Sequence, residues 1–220
     1  MWFGDLVTMH WWNGLWLNES FATFVGYLCQ KEASHALFES PNTKTTNFDA
    51  WYSVNAEKMW AYNTDNKSTT HPIAGDVKDT EVAENIFDGI TYAKGGAFLK
   101  QFYKRISGDV FSKGLHIYFA RHKYQNTKLE DFIQAMQEAC DDTPSMKGFK
   151  VLEWAQVWLK TKGINSLDYN YETDADGKIT KFEIKQGFRK HWEEKYREQV
   201  IDIAIFRGAG EESLVSNVVV

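Results

Sequence analysis

The stretch "LWLNESFATFVGY", residues 15–27, decides how the chain is read. Leu17, Phe21, Phe24 and Leu28 recur at spacings of four, three and four. That is the period of an amphipathic helix. It predicts a helix from Asn13, a good N-cap type, to about Glu32. A different face carries Glu19, Ala22, Gly26 and Cys29. Carboxylates are seldom buried without a partner. A glutamate among small residues therefore poses a question: a solvated helix face, or a ligand offered to something that comes close.

Outward from this helix the pattern splits in two. Residues 1–12 are aromatic and apolar, with Asp5 their one charge, and are expected to be buried. Residues 40–80 hold two of the three prolines and many Asn, Thr, Ser and Asp. They read as a mostly irregular or short-helical excursion. A second helix follows "FDGI", with Tyr92, Gly95, Gly96, Leu99, Phe102, Tyr103 and Ile106 in one stripe and Gly108 at its end. Further helices are expected at 110–123, 128–140 and 151–162, with Thr127 capping the second of these and Gly163 closing the last.

After Gly163 the period becomes two: Leu167, Tyr169 and Tyr171, then Phe182 and Ile184, then Ile201, Ile203 and Ile205. Period two means strands. The expected fold class is mainly α followed by β, with domains over 1–163 and 164–220. The closing "SLVSNVVV" reads as a strand cut off in mid-element.

Composition narrows the function. The 220 residues carry 25 Lys+Arg and 30 Asp+Glu, a net charge of -5. Mild acidity argues against nucleic acid, whose binders show a basic stripe. The run "FRKHWEEKYR" (188–197) reads as a solvated surface. Fifteen per cent aromatics, nine of them Trp, implies large buried rings or an aromatic-lined cleft. Two cysteines, Cys29 and Cys140, make no disulfide framework and favour a reducing compartment, so a cytoplasmic location is expected. No run reaches roughly 18 apolar residues, so no membrane-spanning segment is expected.

The six histidines offer no pair four apart on a helix. Taken alone, Glu19 reads as a polar-face residue and Tyr92 as the first residue of an apolar stripe. "ETDADGKITKFE" (172–183) fits a calcium-loop pattern, but strand-like flanks and "DADG" favour a hairpin turn.

Longer motifs add to that reading. "MWFGDLVTMHWWNGLWLNESFATFVGY" (1–27) resembles the segment after the zinc motif of the M1 family of zinc aminopeptidases, the gluzincins typified by aminopeptidase N. In that family an H-E-x-x-H helix supplies two His ligands and a catalytic Glu. Eighteen residues later a Glu in an "LWLNE" context is the third ligand. Eighteen residues precede Glu19 here, so the resemblance makes Glu19 a zinc ligand and puts the second histidine immediately before Met1. "FDGITYAKGGAFLK" (87–100) resembles the family's F-D-x-I-T-Y-x-K-G element and assigns its catalytic tyrosine to Tyr92. "STTHPI" (68–73) is similar to a Ser-x-His-Pro-Ile segment, with His71 read as structural. "EWAQVWLKTKGIN" (153–165) and "DGKITKFEIKQ" (176–186) resemble the end of the helical catalytic domain and the start of the β-sandwich.

Gly14 departs from the family, many members having a larger residue there. Neither H-E-x-x-H nor G-x-M-E-N occurs in these residues.

The resemblance implies the C-terminal part of a thermolysin-like helical catalytic domain and the first strands of a β-sandwich. It implies Zn2+ as cofactor, peptides with a free N-terminus as substrates, and an N-terminal part of the same protein as partner. With two ligands and the base absent, this polypeptide alone is expected to be inactive, and its N-terminal face to be sticky. The competing readings are a non-catalytic M1-like scaffold and, within enzymes, the family's epoxide-hydrolase branch.

Overall fold

The computed structural model describes residues 1–38, 50–188, 193–206 and 212–220, with side chains omitted at 34–38, 50–51, 205–206 and 212–217. His191 and residues 39–49 lie outside the described residues.

A short strand β1 (Thr8–Met9) precedes a 3-10 turn (Trp12–Gly14) that runs directly into helix α1 (Leu15–Phe38). Asn13 therefore sits inside the turn rather than capping it, and Trp11 makes no side-chain cap. Met9 occupies the space a Cβ at Gly14 would need, with Met9 Sδ 3.0 Å away. That explains why a larger residue is not found there. The helix also outlasts the expected end at Glu32.

Helix α2 (Ala50–Asp65) is longer than the mostly irregular or short-helical excursion expected over 40–80. Its apolar residues are spread round the helix, so the apolar period that signals a helix is weak. Helix α3 (Thr80–Asn85) is capped by Asp79, whose carboxylate accepts from the Val82 N–H at 2.9 Å.

A π-turn (Ile90–Lys94) opens helix α4 (Gly95–Ile106). The stop after α4 is not Gly108: Ser107 takes φ +76°, and Gly108 begins helix α5 (Gly108–His122). Gly108 has its own reason to lack a side chain, because the Tyr103 hydroxyl fills the place of its Cβ.

Strand β2 (Asn126–Thr127) pairs parallel with β1, which ties the N-terminal segment to helix α6 (Leu129–Asp141). Thr127 does not cap α6. Its hydroxyl is buried 2.7 Å from the Tyr118 hydroxyl. The start of α6 is capped instead by the Asp131 carboxylate, which accepts from the Lys128 N–H at 2.8 Å. Helix α7 (Val151–Leu159) ends four residues before Gly163, which turns the chain at φ +73°.

From there the chain is β, as the period-two pattern requires. Strands β3 (Asn165–Thr173) and β4 (Ile179–Phe188) form one antiparallel hairpin, and β5 (Val200–Phe206) and β6 (Glu212–Val219) another. Among the described residues the two hairpins are separate sheets. The calcium-loop pattern folds as the β3–β4 turn. Asp174 Oδ1 accepts from the N–H groups of Asp176 (3.1 Å) and Lys178 (2.9 Å), and Gly177 takes φ +80°. Strands, not helices, flank it.

The core is aromatic. Phe98 and Phe102 stack 6.2 Å apart, and Trp154 lies 5.5 Å from Phe102. Phe24 and Phe102 meet Phe111 at 5.9 and 6.0 Å. Each such ring gains roughly 1.5–3 kcal/mol from burial, so these contacts, rather than helix propensity, hold α1, α4, α5 and α7 together.

Two expectations of burial fail. Trp2 is 52% exposed, with Trp11 and Trp12 also open, because no described element covers them. An apolar groove runs beside α1, bordered by Trp2, Phe3, Phe21, Val25 and Cys29. Conversely, Arg197 in the "solvated" run is 1% exposed. Its guanidinium donates to Asn165 Oδ1, Thr161 Oγ1 and the Lys162 carbonyl, pinning the chain after β4 against the end of α7.

Among the described residues no helix is long and apolar enough to cross a membrane.

Candidate active site on helix α1 and the π-turn

Glu19 stands on the second turn of α1, partly buried, with Ala22, Gly26 and Cys29 exposed along the same side. The small-residue face inferred from spacing is therefore open to an approaching group. Beside it, Asn18 has a buried Oδ1 with no hydrogen-bond partner. An orphaned buried acceptor next to a carboxylate leaves a place for a donor that the described residues do not supply.

Tyr92 lies in the middle of the π-turn. Such single-turn bulges re-aim side chains and recur at functional sites. Its phenol lies near the Glu19 carboxylate, close enough for that charge to act on it. Burial, then the negative charge of Glu19, raise the phenol above its ordinary value of 10.0. The hydroxyl stays protonated and remains a donor. Trp60 of α2 stacks on the Tyr92 ring at 6.0 Å, and Phe87 packs at 6.4 Å. A cleft of about 350 Å³ opens from this ring between Thr23, Tyr27, Glu57 and Trp60.

Three devices bring the two residues together across 73 positions of sequence. First, the Ser20 hydroxyl, adjacent to Glu19, donates to the Thr91 carbonyl, adjacent to Tyr92, at 2.6 Å, fully buried. Second, Gly95 and Gly96 let α4 approach α1. A Cβ on Gly95 would overlap Ser20, and one on Gly96 would press on Thr23 Cγ2 at 3.3 Å. Third, the Asp88 carboxylate accepts from the Ile90 N–H (2.8 Å) and Thr91 N–H (3.3 Å), capping the π-turn.

The Gly95 contact yields a sharp expectation. Gly95→Ala should destabilise the chain by about 1–3 kcal/mol, the cost of overpacking a tight contact. Ser20→Ala in the same chain should recover part of it. Urea unfolding curves with unchanged slope would measure both; an unaltered midpoint for Gly95→Ala would contradict the close approach.

Sequence reasoning named Glu19 and Tyr92, and the structure brings them near each other. It took His71 as structural. That side chain sits against Asp88, with Nε2 3.1 Å from the carboxylate. Sequence reasoning gave no role to Ser20, Asp88, Asp65 or Lys94. Lys94 Nζ is buried 2.8 Å from Asp65 Oδ2 and donates to the Gly163 carbonyl at 3.0 Å. A lysine in an apolar helix start is the one signal that could have flagged it, since such a group needs a partner.

Among the described residues no three His, Cys, Asp or Glu side chains cluster as a metal site. Glu19 contributes one oxygen ligand, and any further ligands would have to join it from elsewhere.

Comparison with known proteins bears on this geometry. Residues 1–158 match the peptidase family M1 domain. Aminopeptidase N of Streptomyces lividans is 45% identical over 186 residues, 84% of this chain and 20% of that protein. Aminopeptidase 2 of Candida albicans is 36% identical over 164 residues, 74% of this chain and 16% of that protein. Tricorn protease-interacting factor F2 of Thermoplasma acidophilum is 34% identical over 163 residues, 74% of this chain and 18% of that protein. The chain thus spans about a fifth or less of the length of these relatives.

Proposed function

The chain belongs to the peptidase M1 family, and from that premise we propose that it is part of a zinc-dependent aminopeptidase that removes N-terminal residues from peptides. The observation that carries the proposal is that the buried Ser20–Thr91 hydrogen bond holds the Tyr92 phenol near the Glu19 carboxylate. A scaffold without chemistry has no need to hold a protonated phenol against a half-open carboxylate.

The residues present fit zinc. A carboxylate oxygen beside an open face suits a site of two imidazoles and one carboxylate, and the orphaned Asn18 Oδ1 could accept a ligand's second N–H. Glu19 would hold the metal, with the two histidines of an H-E-x-x-H segment that these 220 residues do not contain. The metal would supply Lewis-acid polarisation of water and carbonyl.

This chain's own part is positioning and hydrogen bonding. Glu19 fixes one corner of the site. Tyr92 keeps its proton and aims its O–H where negative charge develops on the peptide carbonyl oxygen, a donor already in place before reaction. Trp60 and Phe87 hold the ring. The N-terminal part of the same protein is the partner that would complete the site, and the α1 groove flanked by Trp2 and Phe21 is where uncovered apolar surface supports such an addition. Residues 1–163 then end the helical catalytic domain, and 164–220 begin a β-sandwich.

One carboxylate does not hold zinc in catalytic geometry. The 220-residue chain alone is therefore expected to bind zinc weakly and leave an aminoacyl-anilide uncleaved. Stoichiometric zinc with hydrolysis by the isolated chain would overturn this reading. Restored hydrolysis on joining it to a segment with H-E-x-x-H is the expected complement.

A further inference from the structure

His71 faces two acceptors at once. Its Nδ1 is 2.9 Å from the Pro72 carbonyl and its Nε2 is 3.1 Å from Asp88 Oδ2. A neutral imidazole has one N–H, so it can satisfy only one of the two; the imidazolium satisfies both. The ring is about a fifth exposed, as is Asp88, so solvent does not readily substitute for either contact.

Asp88 spends its other oxygen differently. Oδ1 accepts from the Ile90 and Thr91 N–H groups, and the Asp88 carbonyl accepts from the Tyr92 N–H at 3.1 Å. One residue thus links the histidine to the first three residues of the turn that carries the phenol. The charged groups acting on His71 are Asp88, which favours its proton, and Lys94, which opposes it, with Asp65 paired to Lys94 behind.

We propose that His71 is a positioning residue for Tyr92. As a doubly donating imidazolium it orients the Asp88 carboxylate so that the carboxylate caps the π-turn and fixes the phenol over Glu19. The inference rests on the role given to Tyr92 above, and it goes beyond it by adding a proton-dependent clamp.

Its direction with pH follows. Burial lowers the His71 pKa, but the Asp88 and Pro72 hydrogen bonds outweigh it, and the net shift is upward from 6.5. The clamp is complete below 6.5 and loosens as pH rises through the higher folded value. For Asp88, burial raises the value and the His71 contacts outweigh it, so the net shift is downward from 3.8. The clamp is complete above 3.8 and is lost as pH falls through the lower folded value.

The test uses His71→Gln and Asp88→Asn in the zinc-loaded protein that carries this chain. Each should lower kcat by about 10- to 100-fold, the cost of a small misplacement of a catalytic group, with KM within about twofold. Wild-type kcat should decline through a midpoint above 6.5, and that midpoint should vanish in both variants. On a Tyr92→Phe background, His71→Gln should cost nothing further.

A readout independent of turnover is the ring-proton NMR shift of Tyr92, whose ring lies against Trp60 and Phe87. That shift should move in His71→Gln as the π-turn loosens. Unchanged kcat, pH midpoint and Tyr92 ring shift in well-folded variants would overturn the proposal. So would activity lost only in proportion to the unfolded fraction. If Tyr92→Phe keeps full activity, the catalytic role of Tyr92 fails, and the Tyr92 ring shift alone still decides whether His71 positions it.

Discussion

Tyr92→Phe in the zinc-loaded protein is expected to lower kcat by about 10²–10³-fold, the effect of removing one preorganised oxyanion donor. KM should change little. The phenol acts on charge that appears in the transition state, and an interaction made only there is lost from kcat. The substitution leaves the ring stacked between Trp60 and Phe87 and deletes one hydroxyl from a partly exposed position. Melting temperature and far-UV spectrum should therefore match the wild type. A kcat loss below about threefold would mean that the hydroxyl beside Glu19 is not the oxyanion donor.

Asp65→Asn should be the most damaging single change to the fold outside the aromatic core. Lys94 is buried, and among the described residues its ammonium is paired with the Asp65 carboxylate at 2.8 Å. Breaking a buried pair by removing one partner costs about 3–5 kcal/mol, because a charge is left uncompensated. The same carboxylate also accepts from the Gly163 N–H at 3.2 Å and from the Thr70 hydroxyl at 2.6 Å. It thus joins α2, the segment before His71, the π-turn and the turn after α7.

Burial already pushes Lys94 below its ordinary value of 10.5, with Asp65 opposing that shift. Without Asp65 the folded value drops further. The unfolded chain then holds the extra proton, so the variant should regain stability as pH rises through the lowered value. Urea denaturation at two pH values would measure both effects. The double variant with Lys94→Met should recover much of the loss, since it removes the buried charge that Asp65→Asn leaves without its partner. Additive losses in the double variant would contradict the pairing.

Much of the fold was legible because its signals are local. The Leu17, Phe21, Phe24 stripe and the Leu99, Phe102, Ile106 stripe both face the core, as period 3.6 requires. The alternation of Tyr169 and Tyr171 against Phe182 and Ile184 became the β3–β4 ladder. Helix α2 was not legible because its apolar residues fall all round the helix and leave almost no apolar period. Caps failed for a similar reason. Asn13 and Thr127 are good cap types, but a 3-10 turn and a buried bond to Tyr118 claimed those positions.

At the site, spacing placed Glu19 on an open small-residue face, and motif resemblance gave Tyr92 its role. Neither could show that the two lie together. That juxtaposition depends on the Ser20–Thr91 hydrogen bond and on the missing side chains of Gly95 and Gly96. Such links join residues some 70 positions apart, and no periodicity reports them. The burial of Arg197 was hidden for the same reason: its partners Thr161, Lys162 and Asn165 belong to an earlier turn.

The most direct measurement is anomalous diffraction at the zinc edge on crystals of the metal-loaded protein that contains this chain. The expected result is one zinc bonded to the Glu19 carboxylate at about 2.0–2.2 Å, with the Tyr92 ring beside Glu19. A zinc held without Glu19, or a Tyr92 ring turned away from it, would contradict the account.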